Sequence, residues 1–242
     1  MSHEQQTKKP VTVLNSAKVP LILVSLMWGV HIINWLFPLL KLNKWGVLPR
    51  HIDGLWGIIC SPFLHGDWSH LINNTPPTLI LGWALYYFYR NIATEIILLS
   101  ALMGGGFVWI AARESYHIGM SGIIYALAFF IFFSGVFRKE PKLLAIALFV
   151  VFLYGSMVWG VLPIDLKISF EGHLFGALSG IALAYFYKKE GETFVKKKYQ
   201  FEKDEERDQR LMEQGYTRYE DENGFTVKYE YIPEEKPDET KP

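Results

Sequence analysis

Apolar and polar positions fall in long blocks along residues 19–187. Six apolar stretches stand out, at about 19–40, 69–89, 92–111, 120–137, 142–160 and 170–187. Each comes close to the roughly 20 residues that a helix needs to cross a hydrocarbon core. The pattern predicts an all-α membrane protein, a bundle of six transmembrane helices. The first stretch exceeds the ~7–15 apolar residues of a secretory signal, and no small-residue cleavage site follows it, so it is expected to be retained. The gaps are short except at 41–68, which holds Trp45, Pro49, Trp56, Pro62, Phe63, Leu64 and Trp68. Aromatics so dense predict a loop lying in the membrane interface. Long apolar loops of this kind usually fold back on the body and often serve a site.

Past residue 188 the pattern gives way to charge. Lys196 to Glu213 reads as a solvated helix. Gly215 to Ile232 alternates aromatic and polar residues around Asn223-Gly224, a hairpin turn signal. The Pro/Glu/Lys-rich end is expected to be disordered. Three segments follow: an N-terminal segment 1–18, a membrane domain 19–188, and a charged tail 189–242 with a small hairpin. No internal repeat is visible.

Charge adds an orientation. The net charge of zero hides an asymmetry: residues 190–242 carry 16 of the 24 acidic and 10 of the 24 basic residues, so the tail is −6 and the remainder +6. Twelve basic residues, among them Lys18, Arg90, Arg138, Lys139 and Lys188, fall on the side of the termini. Five, Lys41, Lys44, Arg50, Arg113 and Lys167, fall on the other. The excess predicts cytoplasmic termini. The 41–68 loop and the starts of the fourth and sixth stretches then share the outer side. With no organelle presequence, this fits a bacterial plasma membrane. Cys60 is the sole cysteine, which excludes a disulfide framework and a thiolate metal cluster.

Several polar side chains sit at membrane depth, where they are expensive and demand a reason. Ser121 opens the fourth stretch in Gly119-Met120-Ser121-Gly122, and His173 opens the sixth in Gly172-His173-Leu174-Phe175-Gly176. A serine is a poor nucleophile until a base takes its proton, and His173 is the natural base. Gly119 and Gly122 leave the backbone bare around Ser121, at a helix N-terminus whose unpaired N–H groups could hold an oxyanion. Gly176 and Gly180 make a small-xxx-small face for close helix approach, with His173 on the same side. His70 and Asn74, at i and i+4, share a helix face and can both donate hydrogen bonds to an oxyanion. Tyr125, one turn after Ser121, could stack on His173. Glu171 points to another helix face, so a dyad is the simpler proposal.

Plainer readings stand beside these. The Gly-x-Ser-Gly run and His173 could serve packing alone, and His70 with Asn74 could be an interhelical pair. Gly104 to Gly106 read as tight packing, and His65 and His117 as surface histidines. His65, His70 and His173 could form a metal trio, though no carboxylate or thiolate joins them. A transporter would show repeated halves, which are not seen.

Together these motifs resemble the rhomboid family of intramembrane serine proteases. The resemblance covers about residues 19–188 and rests on Gly119-Met120-Ser121-Gly122 with Tyr125, His70-Leu71-Ile72-Asn73-Asn74, and His173-Leu174-Phe175-Gly176 with Gly180. It implies a six-helix bundle whose site opens to the outer side, with Ser121 as nucleophile and His173 as base. His70, Asn74 and the Ser121 N–H would bind the oxyanion. Substrates would be single-span membrane proteins held in the lipid bilayer, with small, helix-destabilising residues near the cleavage point. No cofactor, metal or nucleic acid is expected. The 41–68 loop would be the family's membrane-dipping element, anchored by Trp45 and Trp56. One departure is plain: many rhomboids carry a Trp-Arg pair there, whereas here Gly57 follows Trp56, and Arg50 is the nearest substitute charge. The competing reading is an inactive rhomboid-like protein that binds or escorts membrane helices; such proteins usually lack the serine or the histidine.

Overall fold

A computed structural model describes residues 13–153, 160–164, 169–191, 200–220 and 227–231. The chain divides into two units, residues 1–192 and 193–242.

The first unit is built from helices. Helix α1 (Val13–Leu36) starts earlier than its apolar stretch, because the polar turn Asn15–Lys18 is helical although not apolar. It ends before Pro38, which lacks an N–H and restricts the residue before it. Residues 37–67 are a run of single turns, including Pro38–Leu40, Ile52–Trp56 and Gly57–Cys60. Helix α2 (Trp68–Phe88) is capped by Asp67, whose carboxylate accepts the His70 N–H at 2.8 Å. Helices α3 (Ala93–Ala111), α4 (Ser121–Arg138), α5 (Pro141–Leu153) and α6 (Phe170–Phe186) follow. Lys139 turns left-handed at the end of α4, and Pro141 opens α5. The second half of the stretch at 142–160 falls largely outside the described residues.

Among the described residues three helices, Leu14–Leu36, Ala93–Ala111 and Ser121–Arg138, are long and apolar enough to cross a membrane. Their burial differs: 17% for the first, 33% for the second and 56% for the third, so α4 is the axis of the bundle. It packs most extensively on α6 and also touches α2, α3 and α5. Its inward residues Tyr125, Ala126, Leu127, Phe130 and Ile131 form much of the core. Helix α1 seats on α2 through buried Met27, a hydrogen bond from Trp28 Nε1 to Thr75 Oγ1 (3.0 Å), and Pro20 against Gly82.

The 37–67 segment does fold back on the body. A Cβ on Gly57 would run into the backbone of Gly46 and Val47. That contact gives the missing Trp-Arg pair a physical reason, since no side chain fits at residue 57. Arg50 instead reaches the C-terminal end of α3, where its Nη1 donates to the Ala112 carbonyl (2.7 Å) and its N–H to the Trp109 carbonyl (3.0 Å). Trp45 and Trp56 stand exposed, as side chains at an interface would.

The second unit holds helix α7 (Gln200–Glu213) and strands β1 (Tyr216–Glu220) and β2 (Val227–Tyr231), an antiparallel pair in register from Tyr216↔Tyr231 to Glu220↔Val227. Asp208 on α7 holds the hairpin. It accepts a hydrogen bond from Tyr229 Oη and pairs with Arg218 at 3.2 Å. The expected turn at Asn223-Gly224 lies outside the described residues.

Candidate active site

The site is a product of glycine contacts. Gly119 precedes α4 at φ +112°, a conformation that favours glycine, and a Cβ there would stand 2.6 Å from His70 Nε2. Helix α4 then starts at Ser121 with no side chain capping its first N–H groups. On α6, a Cβ at Gly176 would strike the carbonyl of Gly122, and one at Gly180 the carbonyl of Ala126. The two helices therefore touch backbone to backbone. A Cβ on Gly104 of α3 would stand 3.6 Å from the Gly176 Cα, and Gly105 packs on Ile58. Gly106 does not fit the packing expectation: it faces open space.

That approach brings His173 Nε2 to 2.8 Å from Ser121 Oγ. The other ring nitrogen, Nδ1, lies 2.8 Å from the carbonyl of Gly160. A carbonyl only accepts, so Nδ1 carries the hydrogen, and Nε2 presents its lone pair to the Ser121 hydroxyl. The Gly160 carbonyl thus stands where a triad would place a carboxylate, a role that sequence could not reveal because backbone has no letter. Tyr125 stacks on the His173 ring, centroids 4.3 Å apart and planes within 9°. Glu171 turns away and pairs with Arg113 (3.5 Å).

His70 and Asn74 do line up on one face, and both rest against Gly119, two residues before Ser121. Asn74 is buried, and its Nδ2 has no hydrogen-bond partner among the described residues. A buried amide donor left unused is costly, and this one lies beside Gly119, at the bare N-terminus of α4. A cavity of about 50 Å³ is lined by Ser121, by polar Ser61, Ser100, His117 and Ser169, and by apolar residues such as Ile58 and Val108. It has room for more than one water.

Two loop histidines prove not to be surface residues. His65 and His117 are 1% and 4% exposed, because the loops carrying them fold into the body. Burial holds His65 down to about 4, helped by neighbouring His70, and lowers His117 as well. The His65 and His70 rings meet edge to face, centroids 5.0 Å apart. The metal trio does not assemble: among the described residues no three His, Cys, Asp or Glu side chains are placed to hold an ion.

The profile of the Rhomboid domain matches residues 53–190, more than half of the chain and every residue of this site. The chain belongs to the rhomboid family. Its similarity extends to uncharacterized proteins of Mycobacterium bovis and Mycobacterium tuberculosis, each 32% identical over 190 residues, covering 75% of this chain and 78% of theirs. An uncharacterized protein of Mycobacterium leprae is 32% identical over 154 residues, 60% of this chain and 61% of its own. As a rhomboid, the chain keeps a serine, a histidine and the His70–Asn74 pair grouped around one helix N-terminus, despite the altered loop.

Proposed function

We propose that this rhomboid is an intramembrane serine endopeptidase working through a Ser121–His173 dyad. The observation that carries the reading is the 2.8 Å approach of His173 Nε2 to Ser121 Oγ, with Nδ1 committed to the Gly160 carbonyl. In this reading His173 takes the hydroxyl proton as Oγ attacks the scissile carbonyl carbon. The oxyanion is met by Asn74 Nδ2, His70 and the Ser121 N–H. The tetrahedral intermediate collapses, the C–N bond breaks, and His173 passes its proton to the leaving amine. Water then attacks the acyl-enzyme, His173 again taking the proton, and Ser121 is released. The cavity at Ser121, with the hydroxyls of Ser61, Ser100 and Ser169 in its lining, supports a water supply at membrane depth.

The six apolar stretches support a six-span bundle, and the excess of basic residues on one side of it supports cytoplasmic termini in a bacterial plasma membrane, with the site toward the outer face. Substrates are single-span membrane proteins cleaved near that face. The test is fluorophosphonate labelling of purified protein in detergent, comparing wild type with Ser121→Ala and His173→Ala. Labelling of wild type alone is expected. A folded wild type that resists the probe would overturn the protease reading in favour of an inactive helix-binding protein.

A further inference from the structure

The hydrogen bond between Ser121 and His173 joins residues 52 apart in sequence. Four residues upstream of each partner, His117 and Ser169 make a second bond with the same separation, Nδ1 to Oγ at 2.6 Å. Its direction follows from the neighbours. His117 Nε2 lies 3.0 Å from the Arg113 carbonyl, so the ring hydrogen is on Nε2, and Nδ1 accepts from the Ser169 hydroxyl. The Ser169 oxygen in turn accepts the Gly172 N–H at 3.3 Å, capping α6. Burial lowers the His117 pKa and keeps the ring neutral near pH 7, as the accepting role requires. The backbone is held too: the N–H and carbonyl of His117 exchange hydrogen bonds with Val47 at 2.9 and 3.0 Å.

The glycine contact between α4 and α6 fixes how closely the helices approach. Bare backbone against bare backbone leaves sliding along the pair weakly constrained, and the side chains that cross it, Tyr125 on His173 and Phe137 on Tyr185, meet as rings rather than through directional bonds. A directional bond between the segments that enter the two helices supplies that constraint, one turn above the reacting atoms.

We propose that His117 and Ser169 are positioning residues, a clamp that sets the register of the nucleophile's helix against the base's helix. The inference rests on the protease reading above. Neither side chain touches the reacting atoms, and the clamp acts through the geometry of the Ser121–His173 pair.

The test is the second-order rate of fluorophosphonate labelling, with thermal unfolding measured alongside, for His117→Ala, Ser169→Ala, the double variant and Ser169→Thr, in the full chain. Misplacing reacting groups by an ångström costs up to about a hundredfold. Each single alanine is therefore expected to slow labelling of folded protein by roughly tenfold or more. The double variant should be no slower than the slower single, since both remove one bond. Threonine, which keeps the hydroxyl, should restore the rate to within about threefold. Labelling at the wild-type rate overturns the clamp, and so do losses that multiply in the double variant or a lowered unfolding temperature with unchanged reactivity. An unlabelled wild type overturns the protease reading itself, and the clamp with it, which separates the two failures.

Discussion

Tyr125 lies flat against the imidazole of His173, with ring centroids 4.3 Å apart and planes within 9°. The ring has few other ways to be held: Nδ1 is tied to the Gly160 carbonyl, and Nε2 faces the Ser121 hydroxyl, whose proton it takes in the proposed reaction. Stacking fixes the plane without using a nitrogen. Tyr125→Phe keeps the aromatic face and should hold turnover of a membrane-embedded reporter substrate within about threefold. Tyr125→Leu removes the face and should lower kcat by roughly tenfold with KM little changed.

Asn74 should trade stability against activity. Its Nδ2 is buried and without a partner among the described residues, so the folded protein carries an unmet donor. Asn74→Ala is expected to leave thermal unfolding in detergent unchanged or slightly raised. Turnover should fall by about a hundredfold, the usual cost of one lost oxyanion donor. A large drop in unfolding temperature would instead assign Asn74 to packing.

The glycines should separate sharply by position. Gly176→Ala drives a methyl group into the Gly122 carbonyl, and backbone cannot move aside as a flexible side chain can. Overpacking of this kind costs about 1–3 kcal/mol or more, and it spreads the two helices that carry Ser121 and His173. Gly106→Ala meets nothing within 4 Å and should be neutral. Paired unfolding and labelling measurements on the two variants check both halves.

Acid should weaken the fold through His65. Its pKa is pushed down to about 4, chiefly by burial, from an ordinary 6.5. As pH falls below 6.5 the unfolded chain takes up a proton that the folded chain refuses. The stability held by neutral His65 is present above pH 6.5 and drains away toward pH 4, by at most about 3 kcal/mol. The unfolding temperature should decline across that window, and His65→Leu should make the decline shallower. An equal slope in wild type and variant would show that His65 does not contribute.

Much of the bundle was legible because burial in lipid writes itself into long apolar blocks; the bounds of α2, α3, α4 and α6 differ from those blocks by at most one residue at either end. Helix α1 was misjudged at both ends, since hydropathy sees neither a polar helical turn nor the effect of Pro38. The polar side chains of the candidate site stood out through their cost at membrane depth. What stayed hidden was contributed by backbone or by folding back: the Gly160 carbonyl, the closed contact at Gly57, and the inward turn of His65 and His117. A histidine in a loop reads as solvated until the loop is known to return. The Gly176 and Gly180 spacing announced a close approach, but not which helix would answer it.

The carbonyl opposite His173 Nδ1 has a consequence for how such a site lives in oil. A carboxylate there would be a permanent ion in a poor solvent for ions. A peptide carbonyl orients the ring with a dipole only, so the resting Ser121–His173 pair and the Gly160 carbonyl behind it bring no ion to the site. Charge separation arises under the proposed reaction only while the imidazolium and oxyanion coexist. The arrangement gives up a strong counter-ion for the proposed transition state and gains a ground state that the bilayer tolerates.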